Sequence, residues 1–261
     1  MLLVADIGNT NAVFGLFGPE AESPFATWRL NTQRDRMPDE WYAALAPLFA
    51  AAGHTPTDVA AVVLASVVPS ITRWLGAMCR DRLGVEPIVL SAELDLGMRA
   101  LIDNPREVGA DRLANCVAAF ARYGGPAIVV DFGTAINFDV VSAHGDFLGG
   151  AIAPGPSIAL EALAGRAARL FSVEIALPAK AIGTNTVTNI QSGLVLGTLA
   201  MLEGLITRMR TELGVEAPVI VTGGYAEVFA SATPLITHHD PDLTIAGLRL
   251  IHGRLAARSG R

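Results

Sequence analysis

The sequence predicts an α/β protein built as two similar halves, each a mixed β-sheet flanked by helices. Three observations lead there. Short apolar runs with strand character give way to longer helical stretches, and this alternation starts twice along the chain. The segment VADIGNTNAVF around Asp6 is echoed by VVDFGTAINFD, so that Asp6 and Gly8 recur as Asp131 and Gly133, 125 positions further on. The chain has 261 residues, 51% hydrophobic and 17% charged, enough to bury a substantial core in one large or two smaller domains.

The elements follow in order. LLVADIG (2–8), NAVFGLF (11–17) and PFATWRL (24–30) read as three strands, with short turns at Asn9–Thr10 and Gly18–Ser23. PDEWYAALAPLFAAAG (38–53) has helical spacing; Pro38 suits a first turn, where its missing N–H has no partner to lose, and Gly53 suits a C-terminal stop. VAAVVLASVV (59–68) is a buried strand, PSITRWLGAMCRDRLG (69–84) a helix and PIVL (87–90) a short strand. The pattern restarts with a helix over 109–124 and a strand over 126–133 ending in the second Asp-x-Gly. Strands over 136–142 and 146–155 come next, then a long helix over 187–213, with its Leu, Ala and Met positions at 194–209 expected to pack in the core. PVIVTGGYAEVFA (218–230) reads as strand, Gly-Gly turn and helix, and a helix over 244–258 closes the chain. The expected division is 1–108 for the first half and 109–261 for the second.

Bulk properties exclude several classes. A net charge of −6 and the lack of a dense basic run argue against nucleic-acid binding. Cys79 and Cys116 form no C-x-x-C pair, so neither a zinc site nor a disulfide framework is expected. The N-terminus lacks a basic leader, and no apolar stretch of about 18 residues escapes charge, Gly or Pro, so the expectation is a cytoplasmic protein with no membrane span. His54, His144, His238, His239 and His252 show no metal-ligand spacing, and His238–His239 reads as a loop pair. Ser157 does not fit G-x-S-x-G, and no Walker A lysine motif occurs.

What remains points to phosphate chemistry. A tight glycine turn between strands exposes backbone N–H groups to phosphate oxygens. Asn9, Thr10 and Asn11 add donors at the first turn and Thr134 at the second. A carboxylate at each strand end would repel phosphate unless a cation intervened, so Asp6 and Asp131 imply metal ions, held directly or through water. Either Asp alone could merely cap its turn; the matched pair favours the phosphate reading. VIVTGG (219–224) allows close backbone approach to a nucleotide. In NPREVGADR (104–112), Asp111 and Arg112 sit in the first turn of a helix. Asp111 is there either for the helix dipole or as a base towards a hydroxyl, with Arg112 as an anion clamp; the residues alone leave both readings open.

DIGNTN (6–11), GADR (109–112), DFGTA (131–135), GGAIAPG (149–155) and TGG (222–224), in this order, resemble type III pantothenate kinases. The likeness extends to SVVPS (66–70), IGTNT (182–186), QSG (191–193) and DLTIAGLRLI (242–251). The resemblance implies two ribonuclease H-like (actin-like) lobes with a cleft between them, in the acetate and sugar kinase/heat-shock protein 70/actin superfamily. It implies a homodimer, with dimer helices in the second half. It further implies phosphorylation of pantothenate by ATP with Mg2+ and a monovalent cation, K+ or NH4+, as the first step towards coenzyme A. Carried over by position, Asp6, Ile7, Gly8, Asn9, Thr10, Asn11, Ala12 and Val13 form the ATP phosphate loop, and Thr134 contacts ATP. Gly109, Ala110, Asp111 and Arg112 contact pantothenate, with Asp111 as proton acceptor, and Thr186 adds to that site. Asp131 binds the monovalent cation, and Asp6 the divalent ion through water. The chain departs from the family pattern at Ile102, Ile136, Asn137, Phe171 and Thr184. Two rival readings are a nucleotide-binding regulatory homologue without turnover and a superfamily kinase acting on another small alcohol.

Overall fold

A computed structural model describes residues 1–91, 93–166 and 170–259. In chain order the strands and α-helices are β1 (Leu2–Ile7), β2 (Asn11–Phe17), β3 (Ala26–Asn31), α1 (Pro38–Ala51), β4 (Ala61–Ser66), α2 (Pro69–Met78), β5 (Ile88–Val89) and α3 (Ala110–Tyr123). Then come β6 (Ala127–Phe132), β7 (Ala135–Val141), β8 (Phe147–Pro154), α4 (Pro156–Arg166), α5 (Thr186–Gln191), α6 (Gly197–Leu213), β9 (Val219–Thr222), α7 (Ala226–Ala230), β10 (His238–His239) and α8 (Leu243–Ser259).

These elements form two compact units: Met1–Ala118 joined by the C-terminal segment from Asp242, and Ala119–Pro241. The boundary thus falls inside α3, later than the 108/109 division expected from sequence, and α8 belongs with the first unit. The reason is packing. Leu243, Ile245, Leu248 and Ile251 of α8 are buried, and the helix lies on β1, β2 and β4. Thr244 Oγ1 donates to Asn115 Oδ1 of α3 at 2.7 Å. At Gly247 any Cβ would stand 2.0 Å from the Ala114 carbonyl oxygen, so this crossing of α8 over α3 needs glycine.

Each unit holds one five-stranded mixed sheet, ordered β3-β2-β1-β4-β5 and β10-β9-β6-β7-β8. Read from opposite edges the two orders match strand for strand. In each, a central strand pairs antiparallel with the next strand and parallel with a later one. β1 and β6 bury the same positions, with only the Asp half-exposed, and β2 and β7 share one burial pattern. The echo in the sequence is therefore a structural duplication.

In the first unit Phe14, Trp41, Phe49 and Leu64 are core residues; full burial of such a side chain stabilises by about 1.5–3 kcal/mol. Cys79 is in this core as a free thiol, and burial pushes its pKa up to about 12. In the second unit Phe132 stacks on Phe229 at 4.6 Å, beside Ile136, Leu202 and Ile206. Ile136, one of the departures from the family pattern, is thus a core residue.

One sequence expectation needs correction here. His238–His239 forms β10, paired parallel with β9; Tyr123 stacks on His238, while the Tyr123 hydroxyl and Arg122 both donate to buried Asp240. The long helix expected over 187–213 is present at residues 186–213. They form one continuous helical run through a π-helical turn at Ser192–Leu196, long and apolar enough to cross a membrane. Its glycines and few charges do not interrupt it, because helix propensity tolerates them. Only 22% of its most apolar window is buried. Val195, Leu202 and Ile206 enter the core as expected, and Leu199, Met201, Leu205, Met209 and Leu213 pack against it partly buried.

Candidate active site

The first Asp-x-Gly turn connects β1 to β2. Asp6 pairs with Val13 and Ile7 with Ala12, leaving Gly8, Asn9 and Thr10 as the turn. The Gly8 N–H donates to the Asn11 carbonyl at 2.9 Å, closing it. Asn9 and Thr10 are exposed. From the segment after β3, the Thr32 hydroxyl donates to the Gly8 carbonyl at 2.8 Å and Arg34 donates to Asn9 Oδ1 at 3.1 Å. Ile7 and Ala12 are core residues, so of these two a ligand could meet only backbone. Asp6, Asn11 and Val13 are half-buried at the rim.

The same unit carries the acceptor candidates. Val108 and Ala110 are buried, which sets the start of α3 against the core. Asp111 and Arg112 follow, both half-buried. Asp111 Oδ1 accepts the Arg112 backbone N–H at 2.9 Å, so the carboxylate folds back over the helix N-terminus. A Cβ on Gly109 would stand 2.4 Å from that oxygen.

In the second unit the turn after β6 is Gly133–Thr134, closed by Gly133 N–H to the Ala135 carbonyl at 3.0 Å. The Thr134 carbonyl accepts the Gly155 N–H at 3.0 Å. Asp131 lies in register with Asn137 on β7 and with Thr222 on β9. Gly223 follows with φ +93°, and a Cβ there would meet Asp131 Oδ1 at 2.4 Å. The Thr-Gly-Gly turn and the second Asp-x-Gly turn are therefore one local site, which their wide separation along the chain does not reveal. Thr186 lies apart from it, exposed at the start of α5, where Asn185 caps the helix by accepting the Thr188 N–H at 3.0 Å. It opens onto an apolar groove of about 510 Å³ lined by Ala159, Leu163, Ile190 and Leu194. That groove had no signal in the sequence beyond the apolar helix itself.

Among the described residues no three His, Cys, Asp or Glu side chains cluster to hold a metal unaided. One carboxylate at each turn fits a different use. Mg2+ keeps water and phosphate ligands and needs one or two carboxylates from the protein. At the second turn Asp131 supplies the single carboxylate, its Oδ1 lying where a side chain at position 223 would stand.

Paired units of this topology, each with a glycine turn beside a strand-end carboxylate, define a duplicated mixed-sheet α/β protein. A Baf family transcriptional activator from Campylobacter jejuni shares the fold at 20% identity and TM-score 0.62, over 98% of this chain and 99% of that one. The inorganic polyphosphate/ATP-glucomannokinase of Arthrobacter sp. strain KM shares it at 18% identity and TM-score 0.50, over 98% of each chain. The type III pantothenate kinase of Thermomicrobium roseum is 49% identical over 256 residues, 98% of both chains. The family model for type III pantothenate kinase matches residues 2–208, and the chain belongs to that family.

Proposed function

We propose that the chain transfers the γ-phosphoryl group of ATP to the primary hydroxyl of pantothenate, giving 4'-phosphopantothenate and ADP, the first step towards coenzyme A. The observation that carries this reading is the pairing, in a family member, of two phosphate-type turns with a carboxylate folded over a helix N-terminus at Asp111. The transfer is in line. The hydroxyl oxygen bonds to Pγ as the bond from Pγ to the bridging oxygen breaks, ADP leaves with that electron pair, and the hydroxyl proton goes to the Asp111 carboxylate. Arg112 holds the pantothenate carboxylate, with Gly109 and Ala110 giving the ligand access to backbone and Thr186 completing the substrate contacts. The run from Asp6 to Val13 wraps the ATP phosphates, with Thr134 adding a donor.

Asp6, through water, and Asp131 would hold the divalent and monovalent cations, whose role is to neutralise phosphate charge. An ATP-consuming reaction of this kind belongs in the cytoplasm. The half-buried apolar residues over 186–213 and the apolar groove beside Thr186 favour a homodimer, since partner contact would cover them. Sedimentation velocity should give twice the chain mass; a monomer at micromolar concentration removes the dimer from the proposal.

The decisive assay identifies the product from ATP and pantothenate, with and without potassium or ammonium. ATP binding with no phosphopantothenate under either salt would favour a regulatory homologue instead. General-base help is worth about 10²–10⁴-fold, so Asp111→Asn should lower kcat by that order with folding intact. Near-normal turnover would take the proton-acceptor role away from Asp111.

A further inference from the structure

We infer that Arg254, on the C-terminal helix, is a positioning residue for pantothenate, acting through the loop that leads into Gly109–Arg112. The residue lies outside the segment that the family model matches. Its guanidinium Nη1 donates to the Leu96 carbonyl at 2.5 Å, and Leu96 itself is buried. The next residue, Gly97, has φ +68° and lies under the same guanidinium; a Cβ there would stand 3.0 Å from Nη1. Asp95 Oδ1 accepts the Gly97 N–H at 3.0 Å, and Asp95 pairs with Arg258 one helical turn beyond Arg254.

The same helix also holds the far end of that loop. Gly247, seven residues before Arg254 and so on the same side of α8 after two turns, lies against the Ala114 backbone of α3. Thr244 bonds Asn115 one residue on. Two further contacts hold the loop, the ion pair from Arg106 back to Glu93 at 3.3 Å and the Asn104–Glu107 hydrogen bond at 2.7 Å. Exposed ion pairs such as Glu93–Arg106 contribute little. The bond from a charged guanidinium to the carbonyl of a buried residue is the strong link. Arg254 thus fixes where the loop leaves the body of the first unit, and α3 fixes where it ends at Asp111. Releasing one end moves the substrate contacts and leaves the Asp6–Val13 turn in place.

The inference rests on Gly109–Arg112 being the acceptor segment, and the test separates the two. Initial rates are measured with ATP and pantothenate each varied, for Arg254→Ala, Arg254→Lys and Arg112→Ala. A small misplacement of a substrate-holding group costs about tenfold or more, so Arg254→Ala should raise KM for pantothenate by about that factor. KM for ATP should stay within about twofold. Arg254→Lys, which keeps a charged donor, should recover part of the loss. Hydrogen exchange over 94–104 should quicken in Arg254→Ala while the β1–β2 amides are unchanged. Where the alanine variant does not fold, Arg254→Gln, which retains packing over Gly97, takes its place with the same split expected. Both KM values moving together, neither moving in a folded variant, or unchanged exchange over 94–104 would overturn the role of Arg254. If Arg112→Ala leaves pantothenate handling intact, the acceptor reading fails first and the inference falls with it.

Discussion

In the first unit three residues, Gly8 to Thr10, separate β1 from β2; in the second only Gly133 and Thr134 separate β6 from β7. The frames around them are the same: equal strand orders, equal burial along the paired strands, an Asp two residues before the glycine. The one-residue difference changes what the turn presents. Asn9 and Thr10 stand exposed, whereas Gly133 and Thr134 are half-buried and the Thr134 carbonyl is taken by Gly155. Asp131 is further tied to Gly223, since its Oδ1 takes the place that a Cβ there would need. A duplicated scaffold has therefore kept its strands and diverged at its turns, which is the difference that the proposed roles, phosphate wrapping at the first and ion binding at the second, would exploit.

The largest test of that contrast exchanges the carboxylates. Groups that act on a metal ion through an intermediary typically cost about 10–100-fold when removed. Asp6→Asn should reduce activity by that order and raise the Mg2+ concentration needed, with the response to potassium preserved. Asp131→Asn should do the reverse, weakening the potassium response and sparing the Mg2+ requirement. Titrating each ion against both variants checks this, and identical shifts in the two would mean that the turns are not specialised.

A smaller contrast concerns stability. Gly223→Ala must place a Cβ at positive φ and 2.7 Å from the Phe132 backbone, costing roughly 2–4 kcal/mol from strain and overpacking together. Gly8→Ala meets only the Asn11 carbonyl oxygen at 3.3 Å and should cost about 1 kcal/mol or less. Trp28, Trp41 and Trp74 all lie in the first unit. Far-UV circular dichroism should therefore register the Gly223→Ala loss in thermal melts more strongly than tryptophan fluorescence does.

The smallest expected effect is an absence of reaction. Cys79, with its pKa pushed up to about 12 by burial, should resist iodoacetamide at pH 9 until denaturant opens the first unit. The sign follows from linkage: the folded state favours the neutral thiol. This contribution to stability is complete below the ordinary thiol pKa of 9.0 and is lost as pH rises towards 12. Rapid alkylation in native buffer would show that the first unit opens locally.

Much of this was legible in the sequence, for physical reasons. Asp6 and Asp131 stood out because an acid at the end of a buried strand is costly without a task. Their glycines and the apolar runs before them repeated at one spacing. The strands were placed to within a few residues because buried parallel strands are continuous apolar runs. The helix over 244–258 was legible as a helix but not as part of the first unit, since an apolar face does not say which sheet it will cover. Nor could the sequence show that Gly223 reaches Asp131, a contact made by strand pairing across about ninety residues. His238–His239 was missed because a two-residue strand has no periodicity to read.

The placement of α8 also orders events in time. The unit containing β1 lacks the helix that covers β1, β2 and β4 until residues 243–259 have been made. Residues 119–241 precede that helix along the chain, so the second unit's own residues are all in hand before the first unit's are. During synthesis the first sheet therefore waits, with one face uncovered, for a helix that lies beyond the whole of the second unit.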